Sequence, residues 1–445
     1  MTFISNLIKW SADLGAHYVK SLLDYIYASI FLRGSSKYHG GDLENKSQYR
    51  DFFELFVLGH SRNNQEKLLT SIGKLRRRLS LRSSDSRVLA DLRDIILSDT
   101  EIDATTKIQK LYGDDFEALH KLSLSDIALH EYAFLELGLF VAAAKCHIIF
   151  LSKKSMSPGL EGVSSDESLV AKIELDTIKL NDKERERYQT SNHKDLSFYS
   201  ALVSVKSKRN NFRYLLKANE RTNSFYHSIC NSKVLIIGPR PTVQELNDAD
   251  EFDVIVVMNY HGPARQRDEI LRHFMAKKRT VVVSYFGNNA SDLLSSPDKD
   301  VAWDFTPDFI VTKSNSYKFQ RDMLKTQNAR TLNSVDNILA LGSGNFLQHC
   351  LYDVLCFNPE LVKIIGLDFW VGESLYDGGY KIIKSDEKFP RYSFAAHNVF
   401  SNWLFPKALR FAGLIQCSDV VGNALELDYF EYAEALSRQY PFQKV

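Results

Sequence analysis

The feature that most constrains this chain is a change of hydrophobic pattern near Cys230. Beyond it come five short, continuous apolar runs: Lys233–Ile237 (K-V-L-I-I), Asp253–Val257 (D-V-I-V-V), Thr280–Ser284 (T-V-V-V-S), Asp308–Thr312 and Val362–Gly366 (V-K-I-I-G). Runs of this length without polar alternation suit strands buried on both faces, which occur in parallel sheets covered by helices. Helical stretches separate them, and alternating strand and helix is the pattern of an α/β domain with a doubly wound, mostly parallel, Rossmann-like sheet. In such sheets ligands bind beyond the carboxyl ends of the strands, so the loops directly after each run are the ones that carry chemistry.

Before Cys230 no Val/Ile-rich run appears, and the period is helical. Phe3, Leu7, Trp10, Leu14, Tyr18, Leu22 and Tyr25 share one face of a first amphipathic helix that stops near Gly34. Further helices are expected over Tyr49–Leu58, Asn64–Leu79, Ser86–Leu97, Asp114–Leu122, Ser125–Leu151, Glu167–Leu180 and Asp195–Leu216. The Gly/Pro/Ser-rich Ser155–Asp166 reads as a surface loop. The expected organisation is an amphipathic-helix region (1–45), an all-α helical domain (46–228) and a nucleotide-sugar-binding domain (229–445). The helical part is expected to form an independent unit that packs on the nucleotide domain or mediates assembly, a homo-oligomer included. No fixed repeat period is found.

A length of 445 residues fits two or three domains. With 56 Lys+Arg against 55 Asp+Glu the charge is balanced, and this argues against nucleic acid, whose phosphates need a basic surplus. The cysteines (Cys146, Cys230, Cys350, Cys356, Cys417) are scattered with no C-x-x-C pair, which points to a reducing compartment. The most apolar stretch, Tyr132–Leu151, carries Glu136, Lys145 and His147, so a buried helix is expected rather than a membrane span. Lys9, Asp13 and His17 interrupt any signal-peptide layout. The expected setting is cytoplasmic, with peripheral contact at the inner membrane face through the first helix. The basic Lys74–Arg82 segment is either an anionic-surface contact or a solvated helix face.

Gly238–Val243 (G-P-R-P-T-V) has neither the G-x-G-x-x-G fingerprint nor a phosphate loop, so NAD and ATP fit poorly. Asn259 follows the second run, positioned to hydrogen-bond a base or sugar; Asn288 and Asn289 follow the third and are turn residues or donor contacts. Gly342–Phe346 (G-S-G-N-F) opens a helix, a place suited to a phosphate or carboxylate. Leu367–Trp370 (L-D-F-W) follows the fifth run, then Tyr376, and His397 stands just before a helix over Asn398–Phe411. The D-A-D triplet Asp248–Asp250 lies in a helix-to-strand connection away from the carboxyl edge, so no metal site is expected there.

The order G-x-x-P-[ST], D-V-x4-N, S-G opening a helix, G-x-D-F-[aromatic]-x5-Tyr and a later His resembles the sialyltransferases of bacterial lipooligosaccharide synthesis. The resemblance covers Lys233–Leu427 and leaves the helical half without a counterpart. It implies a metal-independent, cofactor-free glycosyltransferase with a CMP-sialic acid type donor, a glycan or glycolipid acceptor and a histidine general base. On that resemblance, Asn259 matches the nucleotide-contacting Asn, and Ser343 with Gly344 the S-G that cradles the donor. Trp370 and Tyr376 fall where two tyrosines donate to the departing phosphate, and His397 falls at the base. Gly238, Arg240, Thr242, Asn288 and Asp368 complete the expected donor-binding set. Two departures stand out: Pro239 occupies the place of an Asn near the reacting centre, and Trp370 replaces a tyrosine. They put the sugar in question and keep CMP-Kdo as a donor alongside CMP-sialic acid, with a non-catalytic scaffold as the third reading. Asp368 either orders its loop or takes part in chemistry. Glu373 and Asp377 are solvated acids unless the enzyme retains configuration, and His349 is expected to pack.

Overall fold

The structure, a computed structural model, describes residues 91–92, 94–158, 163, 165–179, 220–258, 280–286, 307–312, 329–332, 339–342, 344–372, 394–395 and 397–442. The first amphipathic helix, the Lys74–Arg82 segment and the stretches at 49–58, 64–79 and 195–216 lie outside the described residues.

The described part of the helical half begins with a turn of helix before Ser98 and continues with α1 (Glu101–Tyr112), which the apolar periodicity did not reveal. Its mark in the sequence is a cap: the Thr100 hydroxyl accepts the Asp103 N–H at 3.1 Å, with acidic residues in the first turn. A short 3-10 turn (Glu117–Lys121) occupies the stretch expected as the helix Asp114–Leu122. The single helix expected over Ser125–Leu151 is two, α2 (Leu124–Leu137) and α3 (Phe140–Ser155). The break is a Schellman turn at left-handed Gly138. The Leu139 N–H bonds Phe134 O at 2.8 Å, and the Gly138 N–H bonds Leu135 O at 3.2 Å. Helices α4 (Ser165–Ile178) and α5 (Glu220–Ile229) complete the described part of this half.

The second half is α/β. In chain order it contains β1 (Lys233–Ile237), α6 (Val243–Leu246), β2 (Val254–Met258), β3 (Val281–Phe286), β4 (Phe309–Thr312) and β5 (Ala329–Thr331). Then follow α7 (Phe346–Leu355), β6 (Leu361–Ile365), α8 (Val399–Phe411), the two-residue β7 (Gln416–Cys417), α9 (Asp419–Glu426) and α10 (Tyr429–Gln439). The five apolar runs are β1, β2, β3, β4 and β6, each within a residue or two of its expected bounds. The strands β5 and β7 were not foreseen; they are short edge strands with no apolar run to announce them. All pairings are parallel, in the order β5-β4-β3-β2-β1-β6-β7. Ile237 is level with Val257 on one side and Ile365 on the other, so β1, β2 and β6 end together.

Chain progress reverses beside β1. Strands β2 to β5 lie on one side, β6 and β7 on the other, and such a reversal opens a crevice at the carboxyl edge between β1 and β6.

One hydrophobic core runs through both halves. It joins Ile127, Phe134, Phe140 and Phe150 of the helical half to Val234, Val256 and Ile364 of the sheet and to Phe400, Trp403 and Tyr432. Helix α3 packs on α10, and α4 on α8. Tyr432 and Trp403 stack with ring centroids 4.4 Å apart and planes 5° from parallel. Beneath the sheet, Asp353 of α7 receives both guanidinium arms of Arg330 at 2.6 and 2.9 Å and the Tyr285 hydroxyl at 2.6 Å. The Arg330 guanidinium also lies over the rings of Phe225 (4.4 Å) and Phe357 (4.8 Å). This buried lock ties α7 to β3 and β5 and so fixes where its N-terminus points.

Candidate functional site

Two groups of loops converge at the carboxyl edge. The first is the crossing of the loops after β1 and β6. The sheet ladder continues past the strands: Gly238 N–H donates to Ile365 O at 2.9 Å, and Arg240 N–H to Gly366 O at 3.1 Å. The contact is too close for a side chain, since a Cβ on Gly238 would lie 2.3 Å from Gly366 O. Glu245 clamps the crossing. One oxygen accepts the Gly366 N–H at 3.1 Å and the Ser418 hydroxyl at 2.5 Å, and the other closes a capping box with Thr242. The Thr242 hydroxyl is therefore engaged in capping α6, where it accepts the Glu245 N–H at 3.2 Å.

Above this crossing Arg240 and Asp368 meet at 3.0 Å. The other Asp368 oxygen accepts the Trp370 N–H at 3.0 Å, so this carboxylate orders its own loop. Burial raises the Asp368 carboxyl above its ordinary range, against the opposing pull of the Trp370 N–H and of Arg240. Arg240, with its side chain 36% exposed, reaches from this pair toward solvent.

Phe369 (φ 50°) and Trp370 (φ 69°) are consecutive non-glycine residues in the left-handed region. Such backbone is held only where the surroundings over-determine it, and it gathers at functional sites. Here the Tyr432 hydroxyl donates to Phe369 O at 3.0 Å, and the Trp370 ring rests on Phe394 with centroids 5.1 Å apart.

The second group forms around the start of α7. Gly342 (φ 76°) faces the turn before α8: a Cβ there would meet Asn398 Cβ at 2.7 Å and the His397 carbonyl carbon at 2.9 Å. Asn402 stitches the two segments together. Its Oδ1 accepts the Asn345 N–H at 2.6 Å, its backbone oxygen accepts Gln348 Nε2 at 2.6 Å, and its Nδ2 donates to Asn398 O at 3.0 Å and to His397 O. Asn398, at φ 46° and ψ 95°, is a further strained non-glycine position, and its side chain caps α8 by accepting the Ser401 N–H at 2.9 Å. The half-buried His397 is thus seated against the loop that opens α7, although more than fifty residues separate them in the chain.

The expected site residues therefore fall into three sets. Gly238, Arg240, Asp368 and Trp370 are brought together at the β1–β6 crossing, with Thr242 beside them. Gly344, buried, and His397 are brought together at the start of α7. Asn259, Asn288, Ser343 and Tyr376 lie outside the described residues, as do Asn289, Glu373 and Asp377. His349 is buried within α7. The D-A-D triplet sits in the 3-10 turn Asn247–Glu251, on the amino side of β2. Among the described residues no group of three or more His, Cys, Asp or Glu could hold a metal ion, and no helix is long and apolar enough to cross a membrane.

Residues that sequence reasoning missed are mainly the ones holding the loops: Glu245, Phe394, Asn398 and Asn402. Glu245 had a signal, the T-x-x-E capping box. The asparagines had none, because their partners are remote in sequence.

Chemically, the second group sets the backbone of the His397 turn against the loop that opens a ten-residue helix, whose N-terminus carries partial positive charge, and the first offers a guanidinium and an indole over strained backbone. No protein-family model, curated protein or solved structure matches the chain.

Proposed function

We propose that the chain is a glycosyltransferase that moves a 2-keto acid sugar of the sialic acid type from a CMP-activated donor to a glycan or glycolipid hydroxyl, without a metal. The observation that carries this reading is the packing of the His397 turn against the Gly342–Asn345 loop. It supports a shared pocket for a donor phosphate at the start of α7 and a base that acts on an acceptor.

The sheet is read as doubly wound and Rossmann-like, with the donor along the β1–β6 crevice. Breaking a CMP–sugar bond leaves negative charge on the phosphate while the sugar becomes oxocarbenium-like. Helix N–H groups, Ser343, Tyr376 and the Trp370 indole would stabilise that phosphate by hydrogen bonds fixed in advance. His397 would take the acceptor proton, since imidazole titrates near neutral pH. Arg240 would face the sugar carboxylate while Asp368 holds the guanidinium in place.

A second donor, CMP-Kdo, is favoured by the G-P-R-P-T loop, whose Pro239 and paired Arg240 shape the sugar end of the crevice differently from an asparagine. In either case the setting is read as the inner face of a membrane, through the first amphipathic helix.

A thermal-shift series tests the reading. CMP should raise the melting temperature more than UMP, GMP or AMP, with no divalent metal added, because a ligand that binds only the folded state stabilises it. Equal shifts from all four nucleotides, or a strict need for Mg²⁺, would overturn it. Binding of CMP without transfer from either CMP-sialic acid or CMP-Kdo would leave a nucleotide-binding scaffold.

A further inference from the structure

We infer that the buried Glu131–His147–Glu174 cluster is a positioning device, which sets the His397–Asn398 turn and the 339–342 loop in register with each other. His147 of α3 is fully buried. Its Nδ1 lies 2.9 Å from Glu131 Oε1 of α2, and its Nε2 lies 3.4 Å from Glu174 Oε2 of α4.

Both carboxylates then reach out of the helical half. Glu131 Oε1 accepts Asn398 Nδ2 at 2.5 Å, and Glu174 Oε2 accepts the Ser401 hydroxyl at 2.7 Å. The other Glu174 oxygen accepts the Ala340 N–H at 2.7 Å, while Lys154 Nζ of α3 donates to Ala340 O at 2.9 Å. Residue 340 is thus gripped at both backbone polar groups, just ahead of Gly342, and the His397–Asn398 turn is gripped on its other side. Each contact ends on a segment that builds the candidate site.

Packing alone does not account for such a choice of residues. Taking charges out of water is costly, and apolar side chains of similar volume often hold helices together as well or better. Asn398, in contrast, needs strong partners, because its backbone is strained and persists only if over-determined. The surroundings of the imidazole are otherwise aromatic or weakly polar: Tyr429 of α10 stacks over it, Phe400 of α8 lies 5.7 Å away between ring centroids, and Cys146 is its neighbour in α3. Lys154, partly buried, pairs with Glu167 at 3.6 Å.

The catalytic side of this inference rests on the proposed transferase reading; the positional side does not. The test uses the full chain with Glu131→Gln, and Asn398→Ala as the second variant should the first fail to fold. Hydrogen exchange should rise selectively in segments 339–342 and 397–402, with the sheet amides of 233–237 and 361–365 unchanged. Unchanged exchange in those two segments, or a uniform rise across the chain, would overturn the inference. In the transfer assay, Glu131→Gln should lower kcat about tenfold to hundredfold, since small misplacements of reacting groups cost that much, with CMP affinity within about twofold. Full kcat in Glu131→Gln, alongside inactivity of His397→Ala, would overturn the positioning role and leave the transferase reading standing. Absence of both CMP binding and transfer in the unmodified protein would remove that reading, and hydrogen exchange alone would then decide whether the cluster sets the turn.

Discussion

At the scale of single residues, the candidate site residues and the residues that hold their loops differ in how they show in the sequence. His397 stood out in the sequence because it stands just before a helix, where the resemblance to sialyltransferases puts the general base. Its partner Asn398 did not, because nothing local marks an asparagine that bonds a glutamate on a remote helix. On the proposed transferase reading, His397→Ala is expected to lower turnover about 10²–10⁴-fold, the usual loss for a general base, with CMP affinity nearly unchanged; steady-state kinetics and a nucleotide titration check this. His147 makes a second prediction. Burial pulls its pKa down, but the charge and hydrogen bonding of Glu131 and Glu174 win, and the value rises from 6.5 to about 9. A folded-state pKa above the unfolded one stabilises fully below about pH 6.5, and that contribution is lost as the pH climbs through about 9. At its limit the contribution is on the order of 3 kcal/mol. The melting-temperature gap between the unmodified protein and His147→Gln should therefore be widest near pH 6 and close above pH 9. A gap that stays constant across this range would mean that His147 folds as a neutral ring.

At the scale of elements, what the sequence disclosed depended on whether a local rule decides the element. The apolar runs disclosed β1, β2, β3, β4 and β6, because a strand buried on both faces tolerates few polar residues. The short edge strands β5 and β7 were hidden, since their pairing comes from the neighbour strand rather than from their own composition. The join between α2 and α3 was misread as continuous helix because the apolar pattern continues through Gly138, and the backbone turn is all that marks the break. Helix α7 illustrates an element placed by remote charge. Asp353 is buried with Arg330 on one side and Tyr285 on the other, so removing the carboxylate strands a guanidinium in the core. Asp353→Ala should cost about 3–5 kcal/mol, read from urea unfolding. The double change Arg330→Met with Asp353→Leu should recover much of that loss, because apolar pairs of similar volume replace buried ion pairs well. A double variant as unstable as the single one would show that the charges themselves hold α7.

At the scale of the molecule, the change of hydrophobic pattern separated helices from an α/β half, as the described residues have it, yet it gave no sign of how closely the two are joined. The reason lies in α8 and α10, which belong to the second half by sequence but turn their aromatic faces to the first. Tyr429 stacks on His147 and sends its hydroxyl toward Ala144 O at 3.4 Å, and Phe140 meets Phe394 and Tyr440 edge-on or tilted. Any chain beginning at residue 229 would present this surface to water, together with Asn398 and Ser401 deprived of their carboxylate partners. Exposing several large aromatic side chains forfeits about 1.5–3 kcal/mol for each one fully uncovered, against a total stability that is typically about 5–15 kcal/mol. Residues 229–445 expressed alone should therefore bind a hydrophobic dye and lose the near-ultraviolet circular dichroism of Trp403, which in the full chain is fixed by its stack on Tyr432. Supplying residues 91–228 in trans should restore part of that signal if the interface is what the isolated piece lacks. A fragment that melts cooperatively at the temperature of the full chain would instead mean that the sheet and its own helices suffice, and that the shared core adds contact without adding stability.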